Sequence, residues 1–281
     1  MIKLLDILEN KILVPRRGKE ERSKNYKIAS QKKIQQYIKD GGKGDLNLNN
    51  SPIDSLPDNL KVGDILDLSY TPITSLPNNL KVGWGLYLDH TLITSLPDNL
   101  EVGQDLDLNN TPITSLPDNF QVGGTLDLSY TPITSLPNNL KVGGDLYLKN
   151  TKITSLPDSL KVGGSLYSSN TKITSLPDNL TKIGGSLELE RTKITSLPNN
   201  LQVGRTLDLD RTKITSLPNN LQVGQNLYLK NTKITSLPDN LQVGGNLYLK
   251  NTPLSKKYST EEIKKMVEDK GGDVTKVIID F

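Results

Sequence analysis

The fourteen residues RTKITSLPNNLQVG at 191–204 recur verbatim at 211–224, and they are one phase of a repeat that runs through most of the chain. Aligned on Leu-x-Leu, units begin at Leu46, Leu66, Leu86, Leu106, Leu126, Leu146, Leu166, Leu187, Leu207 and Leu227, with a truncated eleventh at Leu247. The spacing is 20 residues, apart from one extra residue in the unit that contains LTKIGG (180–185). Such a period constrains the fold more than composition does. Each unit is one supersecondary element that buries its apolar face only against its neighbours.

The consensus L-x-L-x-x-T-x-I-T-S-L-P-x-N-L-x-V-G-x-x has a physical reading at each position. Leu-x-Leu is a short strand with both leucines on one face, because side chains alternate with period 2. Pro followed by Asp or Asn and then Asn, as at Pro117-Asp118-Asn119, is turn chemistry. Val-Gly, as at Val142-Gly143-Gly144, is expected to supply the positive φ that swings the chain into the next strand. The sixth-position Thr, present from Thr71 to Thr252 with Ser51 in the first unit, is expected to point inward and cap backbone groups coil after coil. Six apolar positions per unit face inward. Burying them stabilises by less than the ordering of twenty residues costs, so one unit cannot fold alone and a stack can.

The pattern resembles the leucine-rich repeat family, whose signature L-x-x-L-x-L-x-x-N-x-L it matches in its second half with Thr in place of Asn. The S-L-P that follows is similar to the short bacterial 20-residue form, and to near-identical repeat proteins of tailed phages. The resemblance implies an α/β-type repeat solenoid with a parallel β-sheet on the concave face. It covers 46–254, ten full units and a partial one. Residues 1–45 are then a basic tail and helical cap, and 255–281 a carboxy-terminal cap. Some bacterial relatives carry a cysteine-dependent ubiquitin ligase domain, an activity the absence of Cys excludes here.

Both ends of a solenoid need covering. Residues 20–39 are expected to form a helix with Ile34, Tyr37 and Ile38 on its apolar stripe, ended by Gly41-Gly42. At the other end Ser259 and Glu262 make a capping-box signal for a helix that carries Ile263, Met266 and Val267. Gly271-Gly272 stops it, and VTKVIIDF follows as a last strand. MIKLLDIL at the amino terminus is expected to pack on the first helix or to stay unstructured, with a docking peptide that orders on a partner as the alternative.

With no cysteine and one histidine, thiolate chemistry, disulfides and histidine-rich metal sites are excluded. No catalytic pair, paired carboxylates or phosphate loop stands outside the repeat, so no enzymatic activity, cofactor or metal is expected. Asp6, Glu9 and Lys11 interrupt any secretory core and no span of roughly 20 apolar residues occurs, which points to the cytoplasm, to a host cytoplasm or to a virion if phage-encoded.

Function is sought where the units differ. The residue between the two strand leucines is Tyr87, Tyr147, Tyr167, Tyr228 or Tyr248 in five units, and Asp107, Asp127, Glu188 or Asp208 in others. Two places on stand Lys149, Lys230 and Lys250. These twelve residues form the expected partner-binding face, since tyrosine is favoured at protein interfaces. Charge is polarised: 46–145 holds 3 basic and 12 acidic residues, and 146–254 holds 13 basic and 7 acidic. Between Thr and Ile, the first five units have Pro52, Pro72, Leu92, Pro112 and Pro132, and the next five Lys152, Lys172, Lys193, Lys213 and Lys233. A nucleic-acid binder carries its basic balance across the whole domain. The expected partner is therefore a protein, and the alternative role is that of a structural spacer or virion assembly component acting through the basic tail. Ser168, in place of a strand leucine, is expected to be a local packing defect. His90 and Trp84 are expected at exposed positions. Outward threonines are not paired on one strand, which argues against ice binding.

Overall fold

The computed structural model describes residues 16–279. After helix α1 (Arg16–Lys39), the chain winds through repeated coils and ends in helices α2 (Pro253–Lys257) and α3 (Thr260–Asp269) and a strand, Asp273–Ile278. Every coil contributes two short strands. Leu-x pairs with Leu-x of the next coil in parallel register, for example Leu146↔Leu166 and Tyr147↔Tyr167. The x-Val segments form a second parallel ladder in three separate runs, interrupted between Val102 and Val122 and between Val162 and Ile183, with pairs such as Lys141↔Lys161 and Val142↔Val162. In the last coil the two ladders merge into one strand, Gln242–Tyr248, against which Asp273–Ile278 pairs in parallel.

The core is a set of columns. Leu146, Leu148 and Ile153 are fully buried, and their equivalents are buried in the other coils. Among these, Ser168 is buried without a hydrogen-bond partner for its hydroxyl, which makes the expected packing defect concrete. Each sixth-position Thr is buried too, and from Thr71 to Thr232 its hydroxyl donates to the carbonyl three residues back, as Thr151 Oγ1 does to Leu148 at 2.8 Å, whereas the Thr252 hydroxyl accepts from the Ser255 N–H. The cap therefore closes a turn within its own coil rather than linking coil to coil. Ser51 makes no such bond, and its hydroxyl is left without a partner.

The glycines act differently from expectation. None of the Val-Gly glycines has a positive φ. The left-handed residues are instead Asn59, Asn79, Asn119, Asn139, Asn200, Asn220 and Asn240 in the Pro-x-Asn turn, and the residue just before the buried Ser51 or Thr in each coil. Asn tolerates that region better than other side chains, which explains its recurrence. The first glycine after Val, or after Ile183, is required by stacking: a Cβ on Gly103 would lie 2.0 Å from the Gly83 carbonyl oxygen. The next position varies freely, from Gly144 to Trp84 and Arg205.

The Pro-to-Lys change has a backbone consequence. Lys152, Lys172, Lys193 and Lys233 donate their N–H groups to the Ile carbonyl of the preceding coil, at 3.0–3.1 Å. Leu92 does the same toward Ile73. Proline has no N–H, so Pro72, Pro112 and Pro132 omit this bond.

At the amino-terminal end, α1 starts four residues earlier than expected. Ile34 enters the core and the Tyr37 hydroxyl accepts from the Gly63 N–H at 3.1 Å. Ile38, placed on the apolar stripe by spacing alone, is 48% exposed, because the helix touches only one end of the coil stack. At the other end the Ser259–Glu262 capping box forms, and Ile263 and Val267 are buried. α2, capped by Thr252, has no sequence expectation behind it. The expected behaviour of MIKLLDIL falls outside the described residues.

Candidate functional site: the face of the Leu-x-Leu ladder

The outward side chains of the first ladder stand one above another because the strands pair in exact succession without offset. Tyr87 pairs with Asp107, Asp107 with Asp127 and Asp127 with Tyr147. Tyr167 then adjoins Glu188, Glu188 adjoins Asp208, and Asp208 adjoins Tyr228. The ladder thus brings the tyrosines together as two pairs. Tyr147 and Tyr167 stack with ring centroids 4.5 Å apart and planes 12° from parallel. Tyr228 and Tyr248 stack at 4.4 Å and 8°. Tyr87 stands apart between Asp67 and Asp107. Lys230 Nζ lies 5.5 Å from the Tyr228 ring centre and 5.0 Å from that of Tyr248, within cation–π range.

The carboxylates divide by role. Asp107, Asp127 and Asp208 each accept the backbone N–H two residues on, at 2.8, 2.7 and 2.8 Å, and so close the turn at the strand end. Asp210 instead reaches across coils to the Lys230 N–H at 2.7 Å. Glu190, beside them, faces Arg191 and Arg211 at 3.4 Å each. Lys149 and Lys250 flank the tyrosine pairs without an ion pair among the described residues.

Crowding shifts several of these groups. Burial, reinforced by the charges of Asp127 and Asp89, pushes the Asp107 carboxyl up to about 6. Burial and Asp208 push Asp210 up to about 6. Glu188 and Asp208 rise for the same leading reason, partial burial. The Tyr147 hydroxyl rises to about 12 through burial and then the neighbouring Tyr167. The face therefore resists the addition of negative charge and offers aromatic planes flanking a carboxylate cluster. Among the described residues no group of three or more His, Cys, Asp or Glu side chains is arranged to hold a metal ion.

Two features escaped the sequence reading. Asp105, Asp145 and Asn226, one residue before the strands, accept N–H groups from the following coil at 2.7, 2.6 and 2.9 Å. Their spacing matches the strands, but nothing in the letters separates a backbone acceptor from a free surface acid. The second is the stack of Tyr70 on His90, centroids 4.4 Å apart, at the left-handed position. His90 was expected to be merely exposed.

Parallel coils of 20 residues, closed by Leu-x-Leu strands and buried threonines, define a leucine-rich repeat solenoid. No family model matches the chain, and no curated protein does either. Among solved structures, a leucine-rich repeat protein of Leptospira interrogans is 23% identical, with 84% of this chain and 83% of that one covered and a TM-score of 0.38. YopM, a leucine-rich effector protein from Yersinia pestis, is 15% identical over 90% of this chain and 93% of its own, with a TM-score of 0.35. The leucine-rich repeat domain of a Shigella effector is 19% identical over 98% and 96%, with a TM-score of 0.36. No described helix is long and apolar enough to cross a membrane.

Proposed function

We propose that the chain is a non-enzymatic scaffold that holds a protein partner against the outward face of its Leu-x-Leu ladder. The observation that carries this reading is the pairing of tyrosines. Tyr147–Tyr167 and Tyr228–Tyr248 form two preordered aromatic planes on one face, separated by the coils of Glu188 and Asp208. Stacked rings already restricted by their neighbours lose little entropy on contact, and tyrosine is enriched at protein interfaces. Lys149, Lys230 and Lys250 beside the rings, with the carboxylates between, give such a partner its register rather than most of its affinity. Tyr87, Asp107 and Asp127 extend the same face toward the amino terminus.

The test is recovery of a partner, identified by mass spectrometry, on immobilised wild type and on a variant carrying Tyr147→Ala, Tyr167→Ala, Tyr228→Ala and Tyr248→Ala. Loss of that partner with an unchanged unfolding midpoint supports the reading. Undiminished recovery returns the chain to the role of a structural spacer.

A further inference from the structure

A second surface lies on the neighbouring edge of the coils, where the chain turns from strand to the Thr-x-Ile segment. Exposed and buried residues alternate there: Asn170 is exposed, Thr171 buried, Lys172 exposed, Ile173 buried and Thr174 exposed. Successive coils line these positions up side by side. In the first coils Asn50, Pro52, Tyr70 and Pro72 border one groove together with Tyr26 of α1.

The edge has two halves of different chemistry. In the amino-terminal half it presents Tyr70, Leu92 and Tyr130, which are 55%, 53% and 50% exposed, interspersed with prolines. In the carboxy-terminal half it presents the column Lys152, Lys172, Lys193, Lys213 and Lys233, all exposed. Five basic residues elsewhere have ion-pair partners among the described residues: Lys81 pairs with Glu101, Lys27 with Asp54, Lys270 with Asp239, and Arg191 and Arg211 with Glu190. Among the described residues none of the five lysines has an ion-pair partner, so the column is a row of exposed like charges on successive coils.

Backbone geometry supplies an independent argument. Tyr70 and Tyr130 have φ of 58° and 60°, a region that disfavours bulky side chains and that Asn occupies in the equivalent place of six other coils, such as Asn110 and Asn150, with His90, Arg191 and Arg211 in the remaining three. Tyrosine at these positions works against the local backbone preference. What it adds is an exposed ring.

We propose that this edge is a second binding surface, independent of the tyrosine pairs, which takes an acidic, extended protein segment: its carboxylates along the lysine column and its adjoining apolar residues on the Tyr70–Leu92–Tyr130 half. Charge complementarity sets the sign of the ligand. A single nucleic-acid strand fits less well, because its bases need aromatic rings interleaved with the cations, and here rings and lysines occupy separate halves. A lipid surface fits less well too, because His90, Asn50 and Asn110 interrupt the apolar half, whereas interfacial binding wants a continuous apolar face.

The experiment measures fluorescence anisotropy of labelled probes titrated with the full chain: a hexaglutamate peptide, the same peptide extended by Leu-Pro-Phe-Leu, a twenty-nucleotide oligothymidylate, and vesicles containing phosphatidylserine. The extended peptide is expected to bind tightest, hexaglutamate weaker, and both more weakly as salt rises. Changing the five lysines to Gln, which keeps their backbone N–H groups, should weaken both peptides by about tenfold or more. Tyr70→Asn with Leu92→Ser and Tyr130→Asn should erase only the advantage of the extended peptide. Circular dichroism and the unfolding midpoint check that each variant folds. Tighter binding of the oligonucleotide or the vesicles, no peptide binding, or peptide binding indifferent to the lysine changes overturns the proposal.

Discussion

Gly143 lies so close beneath Gly123 that a Cβ placed on it would sit 2.0 Å from the Gly123 carbonyl oxygen. The neighbouring glycines repeat the contact, with 2.1 Å for Gly163 over Gly143 and 2.1 Å for Gly224 over Gly204. Backbone atoms cannot step aside without parting the second ladder, where Gly143 donates its N–H to Val122 at 2.9 Å. Gly143→Ala is accordingly expected to destabilise by about 2–4 kcal/mol, read as a drop in the urea midpoint. A near-neutral effect would mean that the coils are packed less tightly than described.

Ser168 occupies the place of a strand leucine, fully buried and with no partner for its hydroxyl. An unpartnered buried hydroxyl costs free energy that a hydrocarbon of fitting shape does not. Ser168→Leu restores the column of Leu148 and Leu189 and is expected to stabilise by about 2 kcal/mol. Calorimetry or urea unfolding checks this; a loss of stability would show that the neighbours have closed over the smaller side chain.

Stability also depends on pH through the ladder acids. Asp107 and Asp210 titrate at about 6 in the folded chain, above their ordinary value of 3.8, with burial as the first cause of each shift. The folded state thus holds these protons more firmly than the unfolded state. Their contribution is complete below the ordinary value and is lost as pH rises through about 6. Asp107→Asn together with Asp210→Asn keeps an oxygen for the N–H groups of Asn109 and Lys230 and removes the titration. The double variant should gain about 1 kcal/mol over wild type at pH 7.5, allowing for partial exposure, and nothing at pH 4. Urea midpoints at the two pH values measure it; an equal difference at both would contradict the assignment.

The strand leucines, the buried threonines and the carboxy-terminal capping box were legible because each is a local pattern with one dominant physical meaning. The role of the Val-Gly glycines is set by a neighbouring coil and not by the local chain. Gly143 is needed for what the next coil places against it, and a contact at a separation of twenty residues leaves no mark on local conformation. Ile38 was assigned to the helix stripe by spacing, yet its burial depends on how far α1 overlaps the first coil, which spacing does not encode. On the ladder face, the period of the repeat predicted which side chains align. It did not distinguish Asp107, tied to its own turn, from Glu188, which is not, because both are acids at the same position.

All of this rests on coils that fold only through one another. Leu146 and Trp84 lie three coils apart, and Trp84 is the sole tryptophan, 55% exposed on its coil. Leu146→Ala removes a fully buried side chain at a cost of about 2–5 kcal/mol. The decisive measurement is urea unfolding of this variant followed in parallel by Trp84 emission and by circular dichroism. Coupled coils predict that both midpoints fall together relative to wild type. A Trp84 transition left where it was, while the circular dichroism transition moves, would show coils that stand independently and would contradict the account.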